Sequence, residues 1–256
     1  MLVHGWCMAS TVWKYQFDGL SGVYHDPIRF VAPDLRGHGR SSGGGGHLTF
    51  DSFSRDLVDL FVELNLTNVV LVGWSLGAQV ALQACAELSG RIAGMVLVSG
   101  TPRFTASDDF SYGLAASESS GMRLKVQRNM QRARDGFFTR MFAANELESS
   151  VAEAEIRQML STIPLPETAA ALDSLDALAH ADMRHLLSAI TIPTLIVNGA
   201  LDRVCLPQAS RYLQTHIPNA EQTVFTACGH APFLTHSSDF NREIIRFIRS
   251  VCERDA

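Results

Sequence analysis

A serine flanked by glycines is the first residue of this chain whose setting indicates chemistry. Gly73-Trp74-Ser75-Leu76-Gly77 follows the apolar run Val69-Val70-Leu71-Val72 and opens a helical pattern, which is the context that a G-x-S-x-G nucleophile needs. A tight strand-to-helix turn strains the serine and projects its oxygen above the sheet, near a helix start that favours negative charge. The motif therefore predicts Ser75 as a nucleophile; the alternative is a plain turn with an incidental serine.

A serine hydroxyl needs a base, and the base needs an acid that orients it; in this setting the chain order is serine, acid, histidine. His230 comes directly after the last apolar run, with glycine and small residues around it, and is the predicted base. Asp202 follows the run 194–199 by a short turn and is the predicted acid, since sites collect at the carboxyl edge of parallel sheets. The alternative for Asp202 is a turn or a salt bridge with Arg203.

Other titratable residues after Ser75 fall in helical or surface sequence, where solvated or packing roles are expected. These residues are His180, His185, His216, His236, Asp173, Asp176 and Asp182. Two backbone N–H groups are predicted to hold the oxyanion, that of Leu76 after the nucleophile and that of Trp6 after the first strand. Packing in the core is the alternative for the Trp6 side chain.

The elements that must position these residues alternate in type along the chain. Short apolar runs without period-two polarity predict strands covered on both faces, among them Ile28-Arg29-Phe30-Val31-Ala32, and amphipathic segments between them predict helices. The pattern indicates an α/β fold with a mostly parallel central sheet and helices on both faces. Residues 101–190 are helical without strands and predict a cap inserted into a core of 1–100 and 191–256, the alternative being an independent helical domain.

Composition restricts the classes of function. The chain has 256 residues, 46% of them apolar and 18% charged, with a net charge of −5, so a large core is expected and binding to nucleic acid or membrane is not. The five cysteines are widely spaced and predict buried free thiols rather than a metal site. No signal peptide or long apolar stretch is evident, so a cytoplasmic monomer is expected, and the predicted chemistry requires no cofactor.

Several motifs together resemble the α/β-hydrolase superfamily over almost the whole chain. They are His4-Gly5-Trp6, Asp34-Leu35-Arg36-Gly37-His38-Gly39-Arg40-Ser41, the Ser75 motif, Leu201-Asp202 and His230-Ala231-Pro232-Phe233. Within the superfamily, Gly-Trp-Ser-Leu-Gly with His-Ala-Pro-Phe resembles the pimeloyl-acyl carrier protein methyl ester esterases of biotin synthesis, which release methanol from a carrier-bound acyl chain. The resemblance implies a serine carboxylesterase of biotin biosynthesis. The glycine-rich motif after Asp34 is interpreted as structural.

The sequence departs from that family in two places. The strands that precede His-Gly-Trp in the family are missing, so either a shortened sheet edge or a misassigned start is expected. The cap is the region least like the family, and its segment Phe137-Phe138-Thr139-Arg140-Met141-Phe142 resembles the aromatic segment that contacts the substrate chain. Phe138 and Phe142 are thereby implied as substrate-binding residues, with packing inside the cap as the alternative.

The cap carries a concentration of positive charge. Six basic residues between 123 and 140 face only Asp135 as an acid, and Lys125, Arg128 and Arg132 fall at helical spacing. Such a patch suits an acidic acyl carrier protein, and a solvated helix face is the alternative. Rival functions on this fold are a general small-ester carboxylesterase, an enol-lactonase, a carbon–carbon bond hydrolase, a haloperoxidase-like esterase and a ligand-binding receptor without catalysis.

Overall fold

The computed structural model describes residues 1–21, 28–43 and 47–252. Within these residues the centre is a sheet of five strands, all parallel and lying side by side in chain order. The strands are β1 (Leu2–Val3), β2 (Val69–Trp74), β3 (Ile92–Val98), β4 (Thr194–Gly199) and β5 (Ala220–Phe225). The predicted parallel α/β sheet is confirmed.

The described residues also form ten α-helices, some of which cover the two faces of the sheet, while four lie in the segment between β3 and β4. They are α1 (Lys14–Leu20), α2 (Phe50–Glu63), α3 (Leu76–Leu88), α4 (Ala116–Arg128), α5 (Met130–Met141), α6 (Glu153–Thr162), α7 (Thr168–His180), α8 (Pro207–His216), α9 (Pro232–Thr235) and α10 (Ser237–Cys252). Helix α3 packs on β1, β2, β3 and α2, while α10 packs on β3 and α1, and α8 packs on β4 and β5. No helix in the described part of the chain is long and apolar enough to cross a membrane.

The sheet sets where the predicted catalytic residues lie. β3 and β4 are almost wholly buried, as strands covered on both faces must be, and this burial explains their unbroken apolar sequence. Ser75 follows β2 directly, Asp202 follows β4, and His230 follows β5. Since all the strands are parallel, their carboxyl ends share one edge of the sheet, and each of the three residues follows a strand at that edge.

One predicted strand is absent. Residues 28–32 contain no assigned strand, although the amide of Leu2 donates a hydrogen bond to the Val31 carbonyl at 2.8 Å. Their neighbour β1 has only two residues, so it offers too few partners for a ladder. The run has β-forming composition, but composition alone does not determine how many partners an edge segment finds.

The segment between β3 and β4 holds α4, α5, α6 and α7. Its described residues form only isolated β-bridges, such as that between Arg103 and Asp182, and no strand. We call residues 101–190 the cap segment. Its role as a cap inserted into the core stays a prediction.

The described cysteine thiols are buried and free, as predicted: Cys7, Cys85, Cys205 and Cys228. The side chain of Cys252 lies outside the described residues.

The contact between α10 and the sheet provides a test of the core. Phe247 is 2% exposed, and its ring lies directly over Gly94 of β3, so that a Cβ at Gly94 would meet the ring at 2.9 Å. We expect Phe247→Ala to lower the free energy of unfolding by about 3–5 kcal/mol, because it leaves a cavity on the sheet face. Urea denaturation measures this; Val62→Ala, at a position 60% exposed, is the control. A cost below about 1 kcal/mol would contradict this packing.

Candidate active site

The turn after β2 holds Ser75 in a strained conformation. Its φ is 56° and its ψ is −114°, a region that residues with side chains rarely occupy. The amide of Ser75 donates to the Val98 carbonyl at 3.0 Å, so the turn is pinned to β3 before α3 begins. Gly77 allows α3 to approach β1, because a Cβ there would lie 2.4 Å from the Val3 carbonyl oxygen. The strand–turn–helix geometry predicted for the motif is present.

The predicted base and acid are joined by a buried hydrogen bond. His230 Nδ1 lies 2.8 Å from Asp202 Oδ2, and both side chains are fully buried. The other carboxylate oxygen of Asp202 accepts from the amides of Val204 at 2.7 Å and Cys205 at 3.1 Å. These bonds compensate a carboxylate removed from water, and they fix its direction toward the imidazole.

The far nitrogen of His230 is the atom left for chemistry. Nε2 is buried and has no hydrogen-bond partner among the described residues. Trp74, the residue before the predicted nucleophile, contacts the same histidine. Its Nε1 donates to the His230 carbonyl at 2.9 Å, and the centroids of the two rings lie 5.5 Å apart. The Ser75 turn and the loop that carries His230 are thus connected directly.

A cysteine lies beside the serine and needs to be considered as a rival nucleophile. Burial, reinforced by the charge of Asp202, raises the pKa of the Cys205 thiol well above its ordinary value, while a hydrogen bond with Ser75 opposes the rise. A thiol of raised pKa stays protonated at neutral pH, and only the thiolate is a strong nucleophile. The site therefore favours the serine hydroxyl over the thiol.

The loop after β1 borders the nucleophile. An ideal Cβ on Gly5 would lie 3.3 Å from Ser75 Cβ, which places the backbone of His4, Gly5 and Trp6 against the serine. Leu76 is the first residue of α3, so its N–H has no acceptor within the helix. Leu76 and Trp6 thus sit next to Ser75, and their role as oxyanion donors stays a proposal. The indole of Trp6 donates to the Ala171 carbonyl at 3.0 Å and links this loop to α7.

His4 holds that loop in place, a role that the His4-Gly5-Trp6 motif did not predict. Its Nε2 accepts from the Leu35 amide at 2.9 Å, so the proton resides on Nδ1, which donates to the Gly5 carbonyl at 2.8 Å. Burial, together with the charge of His38, lowers the pKa of His4 to about 3 and keeps the ring neutral. Asp34 of the glycine-rich motif accepts from the amides of Ser10 and Arg40, in line with its structural interpretation.

One aromatic ring of the cap segment reaches the predicted triad, and it belongs to Phe137. Its centroid is 5.1 Å from that of Trp6 and 6.4 Å from that of His230. Phe138 instead packs beside the guanidinium of Arg134 at 5.2 Å and is buried within the cap segment. Phe142 is also buried, and its carbonyl accepts from Arg203. Among the described aromatic contacts, neither Phe138 nor Phe142 reaches the triad, so their substrate role stays a prediction.

Comparisons with known proteins agree with this geometry. A family model described as alpha/beta hydrolase fold matches residues 1–237. The chain belongs to the α/β hydrolase fold family. The pimeloyl-[acyl-carrier protein] methyl ester esterase of Cronobacter sakazakii is 31% identical over 94% of this chain and 88% of its own, and that of Nitrosospira multiformis is 28% identical over 97% and 94%. The resemblance inferred from the motifs is confirmed, and these relatives support a hydrolase.

A solved structure shows the same α/β hydrolase fold. A bromoperoxidase from Bacillus anthracis superposes with a TM-score of 0.88 at 26% identity, covering 97% of this chain and 90% of that one. The fold is therefore shared with hydrolases and with a bromoperoxidase, and the substrate has to be argued from the site of this chain.

A basic cleft has Phe137 in its wall. It has a volume of about 800 Å³ and runs between α4 and α5, with Lys125, Arg128, Arg132 and Phe137 in its wall. The ion pairs Arg123–Asp176 and Arg140–Glu118 neutralise two other cations nearby. In the part of the chain that the structure describes, Lys125, Arg128 and Arg132 form no salt bridge. The three predicted patch residues therefore supply the uncompensated charge of the cleft.

The neutral His4 makes stability depend on pH in a defined window. The pKa of His4 is about 3 when folded and 6.5 ordinarily, so between these values the unfolded chain binds a proton that the folded chain refuses. The free energy of unfolding therefore falls as pH falls, by up to about 1.4 kcal/mol per pH unit for this group. His4→Gln should flatten the slope measured by urea denaturation from pH 6.5 to 5.

The control for this slope is His47→Gln, since the His47 side chain is 93% exposed. An unchanged slope in His4→Gln would mean that His4 is not held neutral. Carboxylates of low pKa, such as Asp34, contribute at more acidic pH because their ordinary pKa is near 4.

Proposed function

We propose that the protein is a serine carboxylesterase in which Ser75, His230 and Asp202 form the catalytic triad. The observation that carries this proposal is the buried hydrogen bond of Asp202 to His230, which leaves Nε2 unpartnered among the described residues, while His230 contacts Trp74, the residue before Ser75. An imidazole held through Nδ1 is fixed in the tautomer whose Nε2 accepts a proton. The strained turn and the loop after β1 supply the surroundings that acyl transfer needs.

The reaction has two steps. His230 Nε2 removes the Ser75 proton while Ser75 Oγ attacks the ester carbonyl, and the N–H groups of Leu76 and Trp6 stabilise the oxyanion. The His230 imidazolium, stabilised by Asp202, then protonates the leaving alkoxide, and an alcohol departs. Water attacks the acyl-enzyme in the same way and releases the acid. No metal or organic cofactor takes part.

The proposed substrate is the methyl ester of a pimeloyl chain attached to an acyl carrier protein, in biotin biosynthesis. The relatives named for that reaction support it, because they match nearly the full chain. The cleft supports it independently. A carrier protein is acidic, and Lys125, Arg128 and Arg132 offer uncompensated positive charge in the wall of the cleft, while Phe137, in the same wall, contacts the ring of His230.

A general small-ester carboxylesterase is the second candidate. It requires the same triad and makes no use of the basic cleft. The fold shared with a bromoperoxidase favours this alternative, since that likeness extends over most of the chain without implying a carrier-bound substrate. A receptor without catalysis would retain the pocket, but its Ser75 would not react with a fluorophosphonate.

Removing the nucleophile tests the triad. Ser75→Ala should lower kcat for p-nitrophenyl esters by roughly 10⁴- to 10⁶-fold, because no other group can form the acyl-enzyme. The wild-type chain should restore growth of a biotin-requiring strain that lacks its own pimeloyl ester esterase, and Ser75→Ala should not. Ser89→Ala, in an exposed position at the end of α3, is the control. Near-normal hydrolysis by Ser75→Ala would overturn the proposal.

Charge reversal in the cleft separates the two candidate substrates. Arg128→Glu with Arg132→Glu should lower kcat/KM for the carrier-bound ester by roughly ten- to a hundredfold and spare p-nitrophenyl esters, because only the carrier is steered by charge. The matched control is Arg55→Glu with Arg211→Glu, which changes net charge equally at exposed positions outside the cleft. Equal losses on both substrates, or equal losses in both double variants, would remove the carrier-protein assignment.

A further inference from the structure

A second buried carboxylate lies beside the loop that carries His230. Glu146 follows α5 in the cap segment, and it is 7% exposed. Its Oε2 accepts from the Gly229 amide at 2.8 Å and from the Ala143 amide at 2.7 Å. Its Oε1 accepts from Thr235 Oγ1 at 2.6 Å and from Cys228 Sγ at 3.0 Å. Three of these four donors belong to residues that flank His230 in sequence.

The four donors account for this carboxylate as a structural acceptor. Glu146, Cys228 and His236 offer ligand atoms within 4.8 Å of one another, a spacing that would also admit a metal ion. However, each Glu146 oxygen already accepts two hydrogen bonds, as an ionised carboxylate does when it is fully satisfied. Burial and the charge of Glu146 raise the pKa of the Cys228 thiol, which therefore remains a donor. The cluster thus fits hydrogen bonding better than metal ligation.

Backbone contacts strengthen the same connection. The amide of His230 itself donates to the Met141 carbonyl at the end of α5, at 2.6 Å. Gly229 makes this approach possible, since a Cβ there would lie 2.4 Å from the Met141 carbonyl oxygen and 2.9 Å from the Ala143 nitrogen. The end of α5 and Glu146 therefore hydrogen-bond to the backbone of Gly229 and His230.

The same stretch of the cap segment also holds the loop of the acid. Arg140 Nη2 donates to the Arg203 carbonyl at 2.8 Å, and Arg203 Nη2 donates to the Phe142 carbonyl at 3.0 Å. Arg203 directly follows Asp202 in the chain. Residues 140–146 therefore contact both loops whose side chains form the Asp202–His230 hydrogen bond.

We propose that Glu146 is a positioning residue that sets the place of His230 relative to Ser75. It acts through the Gly229 amide and Thr235 hydroxyl rather than by touching the substrate. The inference rests on the proposed function, in which His230 is the base. A base displaced by about 1 Å costs about 10²-fold in rate, so the anchor of its loop affects the chemical step and not only stability.

Three substitutions of Glu146 test this role. Glu146→Ala removes the acceptor, and Glu146→Asp keeps the charge but shortens the side chain by one methylene, so both should lower kcat for p-nitrophenyl esters by roughly ten- to a hundredfold with KM within about twofold. Glu146→Gln should keep kcat within about threefold, because its carbonyl oxygen still accepts from Gly229 and Ala143. Its amide can donate to Thr235, whose hydroxyl lies 3.0 Å from an alternative acceptor, His236 Nδ1.

Thermal unfolding curves give the folded fraction of each variant, and kcat is expressed per folded molecule. The rate of Ser75 labelling by a fluorophosphonate is measured as a second readout. The control is Glu148→Ala, because Glu148 is 58% exposed and pairs only with Arg157 in the described chain. It should match wild type in kcat and labelling rate. A stability loss in Glu146→Ala or Glu146→Asp without a loss of kcat per folded molecule would overturn the inference, and so would equal losses in Glu146→Gln and Glu146→Ala.

His230→Ala, assayed beside these variants, separates the two proposals. An active His230→Ala protein contradicts the proposed function. An inactive His230→Ala with normal kcat in Glu146→Ala and Glu146→Asp overturns the role of Glu146 alone.

Discussion

The hydrogen bond between Asp202 and His230 is the interaction on which the site depends. Both side chains are fully buried, so the carboxylate and the imidazole have no water to replace a lost partner. Their loops leave β4 and β5, which pair along their whole length in parallel register, so the sheet brings the two loops to the same edge. The pairing of two strands thereby determines which acid meets which histidine. Ser75 follows β2, whose carboxyl end lies at the same edge of the sheet.

The chain is acidic as a whole, but the cleft between α4 and α5 is basic. The net charge is −5, yet three cations in the cleft between α4 and α5 remain uncompensated among the described residues. Neighbouring cations are used within the protein: Arg123 and Arg140 pair with acids, and Arg134 is buried, where it donates to the Ile163 carbonyl. The six cations of the sequence are therefore fewer in effect, and Lys125, Arg128 and Arg132, which fall at helical spacing, are the three without a salt bridge among the described residues.

Local motifs made the core of the site predictable. The Ser75 turn, the acid after β4 and the histidine after β5 each follow an apolar run, and a parallel fold turns that sequence order into proximity. The failures concern contacts between distant segments. Residues 28–32 have strand composition, but the sequence does not show that β1 offers only two partners.

The cap segment shows the same limit at the level of single side chains. Phe137 lies on the buried stripe of α5 that also contains Ala133 and Met141, four residues before and after it, and its ring contacts that of His230. Phe138 belongs to the adjacent stripe with Arg134, so one residue of register decides which ring reaches His230. Glu146 gave no sequence signal, because its donors at Gly229 and Thr235 are 83 and 89 residues away.

Helix α5 contacts both the basic cleft and the loop that carries His230. One side of the helix contributes Arg132 and Arg140 to the cleft, while Phe137 and Met141 contact His230 through its ring and its backbone amide. The cleft and the histidine loop therefore border the same helix. The cap segment, which resembles the family least, is therefore in direct contact with His230, the predicted base. Under the proposed function, substitutions on the cleft side of α5 change substrate recognition, whereas the end of α5 and the turn that follows it have to keep the position of His230.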